Sequence, residues 1–295
     1  MRQLNNMQFL TSIKPLTADY DLLILDLWGV IHDGCALYPN VKECLERLRQ
    51  EKKKIIFLSN APRRAEVVAT ALHQMGITDD LYDRIVTSGE VFFDTLTHPS
   101  KEFFNPRNHN YVYMGLERDR KVLEGLHYTE VKNPDDAAFL LLSHHFYDHQ
   151  PMEELMPILE GCLRNKLPTL CINPDKEIVR LDGTHVPCAG VIAEEYTSMG
   201  GEVLYFGKPH RIVYHTCLHG FEHMDTKRII AVGDSLANDI AGANGYGITS
   251  VLVTGGILKK SVGSEVTAAY KSKLTEILSG EKVKPDYAVP AFNWS

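Results

Sequence analysis

Short apolar runs alternate along this chain with stretches whose apolar positions recur every three or four residues. Asp21 to Asp26 (DLLILD) predicts a strand buried on both faces, and Val41 to Lys52 follows at helical spacing. Lys54 to Leu58 (KIIFL) predicts a second strand and Arg64 to Met75 a helix closed by Gly76. Arg84 to Thr87 predicts a third strand, followed by a helix from Glu90 to Leu96. Near the other end, Arg228 to Val232 (RIIAV) and Ser250 to Val253 predict strands, with a helix starting over Asn238 to Asn244. Strands that alternate with helices imply a parallel sheet with right-handed crossovers, so the expected class is α/β with a doubly wound, Rossmann-like core.

The middle of the chain breaks this rhythm. From about Lys101 to Gly190, strand-like pieces (Tyr111 to Met114, Ala138 to Leu142, Thr169 to Ile172) are separated by loops rich in Asp, Asn and Pro. This predicts an inserted second α/β domain over residues 101–190, with the core built from residues 1–100 and 191–295. A length of 295 residues suits two domains. No internal repeat, low-complexity segment or heptad pattern interrupts the reading.

Composition narrows the function. Apolar residues make up 44% and charged residues 23%, the balance of a globular enzyme. A formal net charge of −7 argues against a nucleic-acid partner, which calls for a basic face. An anionic substrate is still compatible, because a metal and a lysine can create a local positive well. No apolar run is long enough to cross a bilayer, and Met1 to Leu10 lacks the apolar stretch of a secretory signal, so no membrane partner is expected. The cysteines at 35, 44, 162, 171, 188 and 217 form no Cys-x-x-Cys pair, which speaks against a zinc knuckle or redox motif and suits a reducing cytoplasm.

In open parallel sheets, ligands bind beyond the C-terminal ends of the strands. Four segments carry polar residues there: LILDLWGV, IIFLSNAPR, YFGKPH and IIAVGDSLAND. Singly, each has a plain explanation, since Asp26 or Asp234 could cap a helix and Gly-Lys-Pro could be a turn with a solvated lysine. Together, Asp26 with Gly29, Ser59-Asn60, Lys208-Pro209, and Gly233-Asp234 with Asp239 make one phosphate-and-metal set. Asp26 supplies a carboxylate nucleophile. Asp26 and Asp234 offer hard oxygen ligands for Mg²⁺. Asp239 holds a metal-bound water or orients Asp234. Lys208 neutralises the carboxylates and the transferring oxygens. Ser59, with N–H groups at the start of the following helix, binds phosphate oxygens.

These segments resemble the four motifs of the haloacid dehalogenase-like (HAD) hydrolases. Little chain separates Asp26 from Ser59, whereas the long interval from Ser59 to Lys208 holds the insert, which is where class II caps of that superfamily lie. Thr87-Ser88-Gly89 and Asn173-Pro174-Asp175 look like signatures of subclass IIA, the NagD-like phosphatases. Ser59-Asn60 with Arg63-Arg64 is similar to the pyridoxal-phosphate and p-nitrophenyl phosphatases of that subclass. The resemblance implies a mobile C2-type cap and a Mg²⁺-dependent phosphomonoesterase acting on a small phosphorylated metabolite through an aspartyl-phosphate. It also implies a backbone-carbonyl metal ligand at Trp28, phosphoryl contacts from Asn60, and Asn173 and Asp175 facing the site from the cap. The bland alternative for the last pair is a turn held by its own hydrogen bonds. A homodimer through the cap is a further expectation.

One position departs from the pattern. Phosphatases of the superfamily carry a second Asp two residues after the nucleophile, as proton donor to the leaving group. Here that position is Trp28, which cannot transfer a proton. The leaving group could need little acid assistance, as in aryl or acyl phosphates. Alternatively, His32 or Asp33 stands in, unless both merely shape the loop. Or the chemistry is carbon–halogen or phosphonate hydrolysis by the same Asp26, since haloacid dehalogenases carry an aromatic residue here; Asp234, Asp239 and Lys208 weigh against that. A non-catalytic phospholigand-binding protein is the remaining class. Two smaller features complete the reading. Ser143 to His149, with three histidines and an aspartate, reads as a polar loop, a substrate contact or a transition-metal site. Gly255-Gly256 permits a tight turn near the site and is no dinucleotide fingerprint.

Overall fold

A computed structural model describes residues 7–98, 104, 106–144, 151–179 and 185–295. The chain forms two compact units: residues 1–59, 66–86 and 214–295 make the first, and residues 60–65 and 87–213 the second.

The first unit is organised around a seven-stranded sheet. Its strand order is Gln8–Phe9, Tyr287–Val289, Thr249–Val253, Ile229–Gly233, Leu22–Asp26, Lys54–Ser59 and Arg84–Thr87. The pairings from Gln8–Phe9 across to Lys54–Ser59 are parallel. Leu22–Asp26 sits centrally and is buried along its whole length, as expected of a strand with no polar residue before its last position. The helices over the sheet follow from their apolar spacing. In Val41–Gln50 the buried residues are Val41, Cys44, Leu45 and Leu48, one face of a helix. Tyr270, Leu274 and Leu278 of Ala268–Ser279 likewise share a core with Leu252, Ala288 and Ile240.

At the opposite end of the sheet from Asp26, Asp83 ties the strands down. Its carboxylate accepts from Arg49 at 2.6 Å, from the Ile55 N–H at 2.9 Å and from Lys54 at 2.9 Å. Burial alone would raise the Asp83 pKa, but these donors outweigh it and hold the carboxyl below the usual range.

The second unit has its own five-stranded sheet, in the order Val203–Tyr205, Thr169–Cys171, Phe139–Leu142, Asn110–Met114 and Thr129–Glu130. Every neighbouring pair is parallel. Met152–Arg164 and Ala189–Ser198 cover it, placing Leu155, Leu159, Ile192 and Tyr196 in one apolar cluster with Val112, Leu140 and Leu142. A short antiparallel ribbon joins Glu177–Val179 to His185–Pro187.

The α/β class matches the sequence reading, while the two compact units divide the chain at other residues than 101 and 190. The sequence pattern puts the end of the insert at residue 190. Instead Val203–Tyr205 pairs with Thr169–Cys171 and completes the second sheet, with Ala189–Ser198 as the crossover helix. Three half-buried residues show too little periodicity to announce a strand. On the other side the second unit begins at Thr87 rather than 101. Thr87 donates from Oγ1 to the Arg63 carbonyl at 2.5 Å and caps the helix Ser88–Thr97 by accepting from the Glu90 N–H.

Candidate active site

Asp26 closes its strand, and Asp234 follows Gly233 at the end of the adjacent one. Val232 pairs with Leu25, so the two acids leave the same C-terminal edge of the sheet one residue apart. Asp239 arrives from a single π-turn, Leu236–Ile240, an irregularity that recurs at functional sites. Ser235 fixes that turn: its hydroxyl accepts from the Asn238 N–H at 3.2 Å, and its own N–H donates to Asp239 Oδ2 at 3.0 Å. Asp26, Asp234 and Asp239 are all buried, and one carboxylate oxygen from each lies within 4.8 Å of the others.

Three glycines make this approach possible. A Cβ on Gly29 would fall 2.0 Å from Asp234 Oδ2, one on Gly256 1.9 Å from the same oxygen, and one on Gly233 2.0 Å from the Asp239 Cγ. Gly29 also has φ +84°, a conformation that side chains with a Cβ rarely adopt. The Ile257 N–H donates to Asp234 Oδ2 at 3.0 Å. Two ionised carboxylates at this spacing repel by roughly 3 kcal/mol at an effective dielectric constant of about 20. A packed cradle that holds three of them together fits a hard divalent cation such as Mg²⁺, which takes carboxylate oxygens.

The loop after Asp26 is held by local hydrogen bonds. Asp33 Oδ1 accepts from the Cys35 and Ala36 N–H groups at 2.9 and 2.8 Å, and His32 Nδ1 accepts from the Gly34 N–H at 3.0 Å. Burial lowers the His32 pKa below its ordinary value. Both residues therefore shape the turn, and the His32 nitrogen that accepts is already engaged.

The second unit gathers Asn60, Lys208 and Asp175. Asn60 Nδ2 donates to Asp175 Oδ1 at 2.8 Å and to the Lys208 carbonyl at 3.1 Å, while its Oδ1 accepts from the Lys208 N–H at 2.6 Å. Asn60 and Lys208 are both buried. Gly207 gives them room, since a Cβ there would lie 2.5 Å from Asn60 Oδ1. The Asn60 amide clamps the Lys208 backbone through both its N–H and its carbonyl and also holds Asp175. Asn173 is buried, and its Oδ1 accepts from the Asp175 N–H at 3.3 Å, so the Asn-Pro-Asp segment forms the local turn. Gly190 donates to the Asp175 carbonyl at 2.9 Å and passes too close to Pro174 to carry a side chain.

Ser59 ends the strand Lys54–Ser59, next to Leu58, which pairs with Asp26. The helix beyond it begins at Ala65, whose N–H donates to Glu90 Oε2 at 2.8 Å. Arg64 grips the same carboxylate at 2.8 and 3.0 Å. Glu90 thus takes the first N–H group of that helix. Glu90 carried no motif signal, since its partners lie 25 and 26 residues away. Of Ser143 to His149, only Ser143 and His144 are among the described residues. Both are buried, with Ser143 Oγ 2.8 Å from the Tyr113 hydroxyl.

Known proteins place this geometry in a family. Residues 23–129 match the family model described as haloacid dehalogenase-like hydrolase, and residues 205–291 match a HAD-hydrolase-like model. The sugar-phosphatase AraL of Bacillus subtilis (strain 168) is 24% identical over 81% of this chain and 84% of its own length. Chronophin from Rattus norvegicus is 26% identical over 80% of this chain and 76% of its own. The crystal structure of a haloacid dehalogenase-like family hydrolase from Brucella suis 1330 superposes with a TM-score of 0.79 at 27% identity, covering 96% of this chain and 99% of that one. The chain belongs to the haloacid dehalogenase-like hydrolases. It is an enzyme of the HAD phosphatase/hydrolase type.

Proposed function

We propose that this enzyme is a Mg²⁺-dependent phosphomonoesterase of small phosphorylated metabolites that works through an aspartyl-phosphate on Asp26. The observation that carries the reading is the buried trio of Asp26, Asp234 and Asp239 in its glycine cradle. The sugar-phosphatase name of one relative supports a phosphate ester as substrate. Asp26 and Asp234, with the Trp28 backbone carbonyl, would hold the ion, and Asp239 would hold its water or steady Asp234. The bound ion supplies charge neutralisation of the carboxylates and the phosphoryl oxygens.

The side chains do the rest. An Asp26 carboxylate oxygen bonds to phosphorus as the ester P–O bond breaks, its electron pair leaving on the alcohol oxygen. Water then attacks phosphorus, the bond electrons return to the Asp26 carboxylate, and the water proton passes to solvent. Ser59 and Lys208 bind the phosphoryl oxygens, with Asn60 setting the backbone from which Lys208 projects. The second unit acts as the cap that selects the substrate, with Asn173 and Asp175 contributing to substrate binding. Six free thiols, five of them buried, suit a reducing cytoplasm.

A panel of phosphorylated metabolites assayed with and without Mg²⁺ tests the reading. Turnover that requires the ion and vanishes in Asp26→Asn is the expected result. Cleavage of carbon–halogen or phosphonate substrates in preference to phosphates, or ligand binding without any turnover, would overturn it.

A further inference from the structure

Three large apolar side chains are exposed among the described residues: Trp28 at 41%, Val67 at 44% and Ile257 at 55%. Single exposed apolar residues need no explanation. Two of these three, however, belong to chain segments that adjoin one carboxylate. Trp28 directly precedes Gly29, whose α-carbon abuts Asp234, and the Ile257 N–H donates to Asp234 Oδ2. Two exposed apolar residues therefore leave the chain at backbone positions that adjoin the acid cluster.

The indole is also fixed in place. A Cβ on Gly34 would fall 2.3 Å from Trp28 Cη2 and 2.4 Å from Cζ3, so the ring lies on a residue that has no side chain. The His32 ring meets it edge-on, with centroids 5.9 Å apart at 78°. The turn beneath is set by the hydrogen bonds of His32 and Asp33 described above. A planar apolar surface held before any ligand arrives loses little freedom on binding.

Resting on the phosphatase reading above, we propose that Trp28 and Ile257 form an apolar seat for the leaving group, and that the enzyme selects phosphate esters of flat, weakly basic alcohols (phenols and enols) over those of saturated alcohols. Two properties of Trp28 converge on this class. A flat, electron-poor group stacks on an aromatic face. Its oxygen also departs without a proton donor, which Trp28 cannot be. A phenol ionises near pH ~10, like the tyrosine side chain, whereas a saturated alcohol compares with bulk water at about 15.7. In the step itself, the Asp26 oxygen–phosphorus bond forms and the phosphorus–oxygen ester bond breaks. The electron pair goes to a phenolate or enolate, which takes its proton from solvent water after release.

The test compares kcat/KM for aryl phosphates of graded acidity with alkyl phosphates of similar size, in wild type, Trp28→Leu, Trp28→Phe, Trp28→Asp and Ile257→Ser. Wild type is expected to favour aryl over alkyl esters by about hundredfold or more, the size of a missing general acid. Trp28→Leu and Ile257→Ser should raise KM for aryl esters, with Trp28→Phe restoring it. Trp28→Asp should flatten the dependence on leaving-group acidity. Equal rates on alkyl and aryl esters in wild type, or an aryl KM indifferent to Trp28→Leu, would overturn the proposal.

A binding readout separates this proposal from the phosphatase reading. The chain has two tryptophans, so Trp294→Phe leaves Trp28 as the sole indole reporter. Phenylphosphonate should perturb its fluorescence and methylphosphonate should not. If no phosphate ester is turned over but the indole responds to the aryl compound, the hydrolase reading fails and the seat stands. An unresponsive indole overturns the seat whatever the activity.

Discussion

Gly256 lies so close to Asp234 that a methyl group on its α-carbon would fall 1.9 Å from Asp234 Oδ2. The same oxygen accepts the N–H of the next residue, Ile257, at 3.0 Å. One backbone turn therefore both orients the carboxylate and leaves it room, and the demand for glycine at 256 is chemical rather than conformational. Gly256→Ala should reduce kcat by about 10–100-fold, the usual effect of disturbing the groups around a metal ligand. It should leave the circular dichroism spectrum unchanged. Wild-type rates in this variant would show that Asp234 can move without consequence.

Gly29→Ala meets the same carboxylate at 2.0 Å and adds backbone strain, since Gly29 has φ +84°. Strain of this kind costs about 1–2 kcal/mol. Thermal unfolding should show a lowered Tm together with lost activity, whereas Gly256→Ala, with no positive φ, should lose activity with a smaller change in Tm.

Like-charge crowding makes a prediction about stability without metal. Asp234→Asn removes one of three buried acids that approach within 4.8 Å. In EDTA its Tm should equal or exceed that of wild type. With Mg²⁺ at about 100 times its Kd, wild type should gain roughly 2.7 kcal/mol and the variant much less. A variant that is less stable than wild type in EDTA and equally stabilised by Mg²⁺ would contradict the metal site.

Asp83 sets an acid limit on the fold. Its folded pKa lies below the unfolded value of about 3.9. The carboxylate therefore stabilises the fold above that pH, and the contribution fades as pH falls through the folded value. Asp83→Asn should lower stability at neutral pH by about 1–3 kcal/mol, typical of hydrogen bonds to a charged group. Urea midpoints across pH 3 to 7 should be less pH-dependent in the variant than in wild type; identical profiles would remove Asp83 from the account.

Much of this was legible in the residues, for local reasons. Runs such as LLILD and IIAVGD contain nothing charged until their last residue, so burial and the position of the acid are read together. Asp26, Asp234 and Asp239 meet because the register aligns two such ends. The clamp of Asn60 on Lys208 left no such trace, because its partners are 148 residues apart and an asparagine after a strand fits many loops. Gln8–Phe9 and Tyr287–Val289 are too short for any periodicity, and they join the sheet only because it offers an edge. Met152–Arg164 is a helix that the sequence hides behind Pro157. The contact of Ile257 with Asp234 gave no signal because it uses a backbone N–H, which every residue but proline has.

The central claim is that the Asp26 carboxylate becomes phosphorylated. Acid-quenching the enzyme during turnover of a phosphate ester, digesting it and measuring peptide masses tests this directly. The peptide containing Asp26 should carry one phosphoryl group, removable by hydroxylamine and missing from Asp26→Asn. A turning-over enzyme whose phosphoryl group sits on another residue, or that yields phosphate with no labelled peptide under single-turnover quench, would contradict the account.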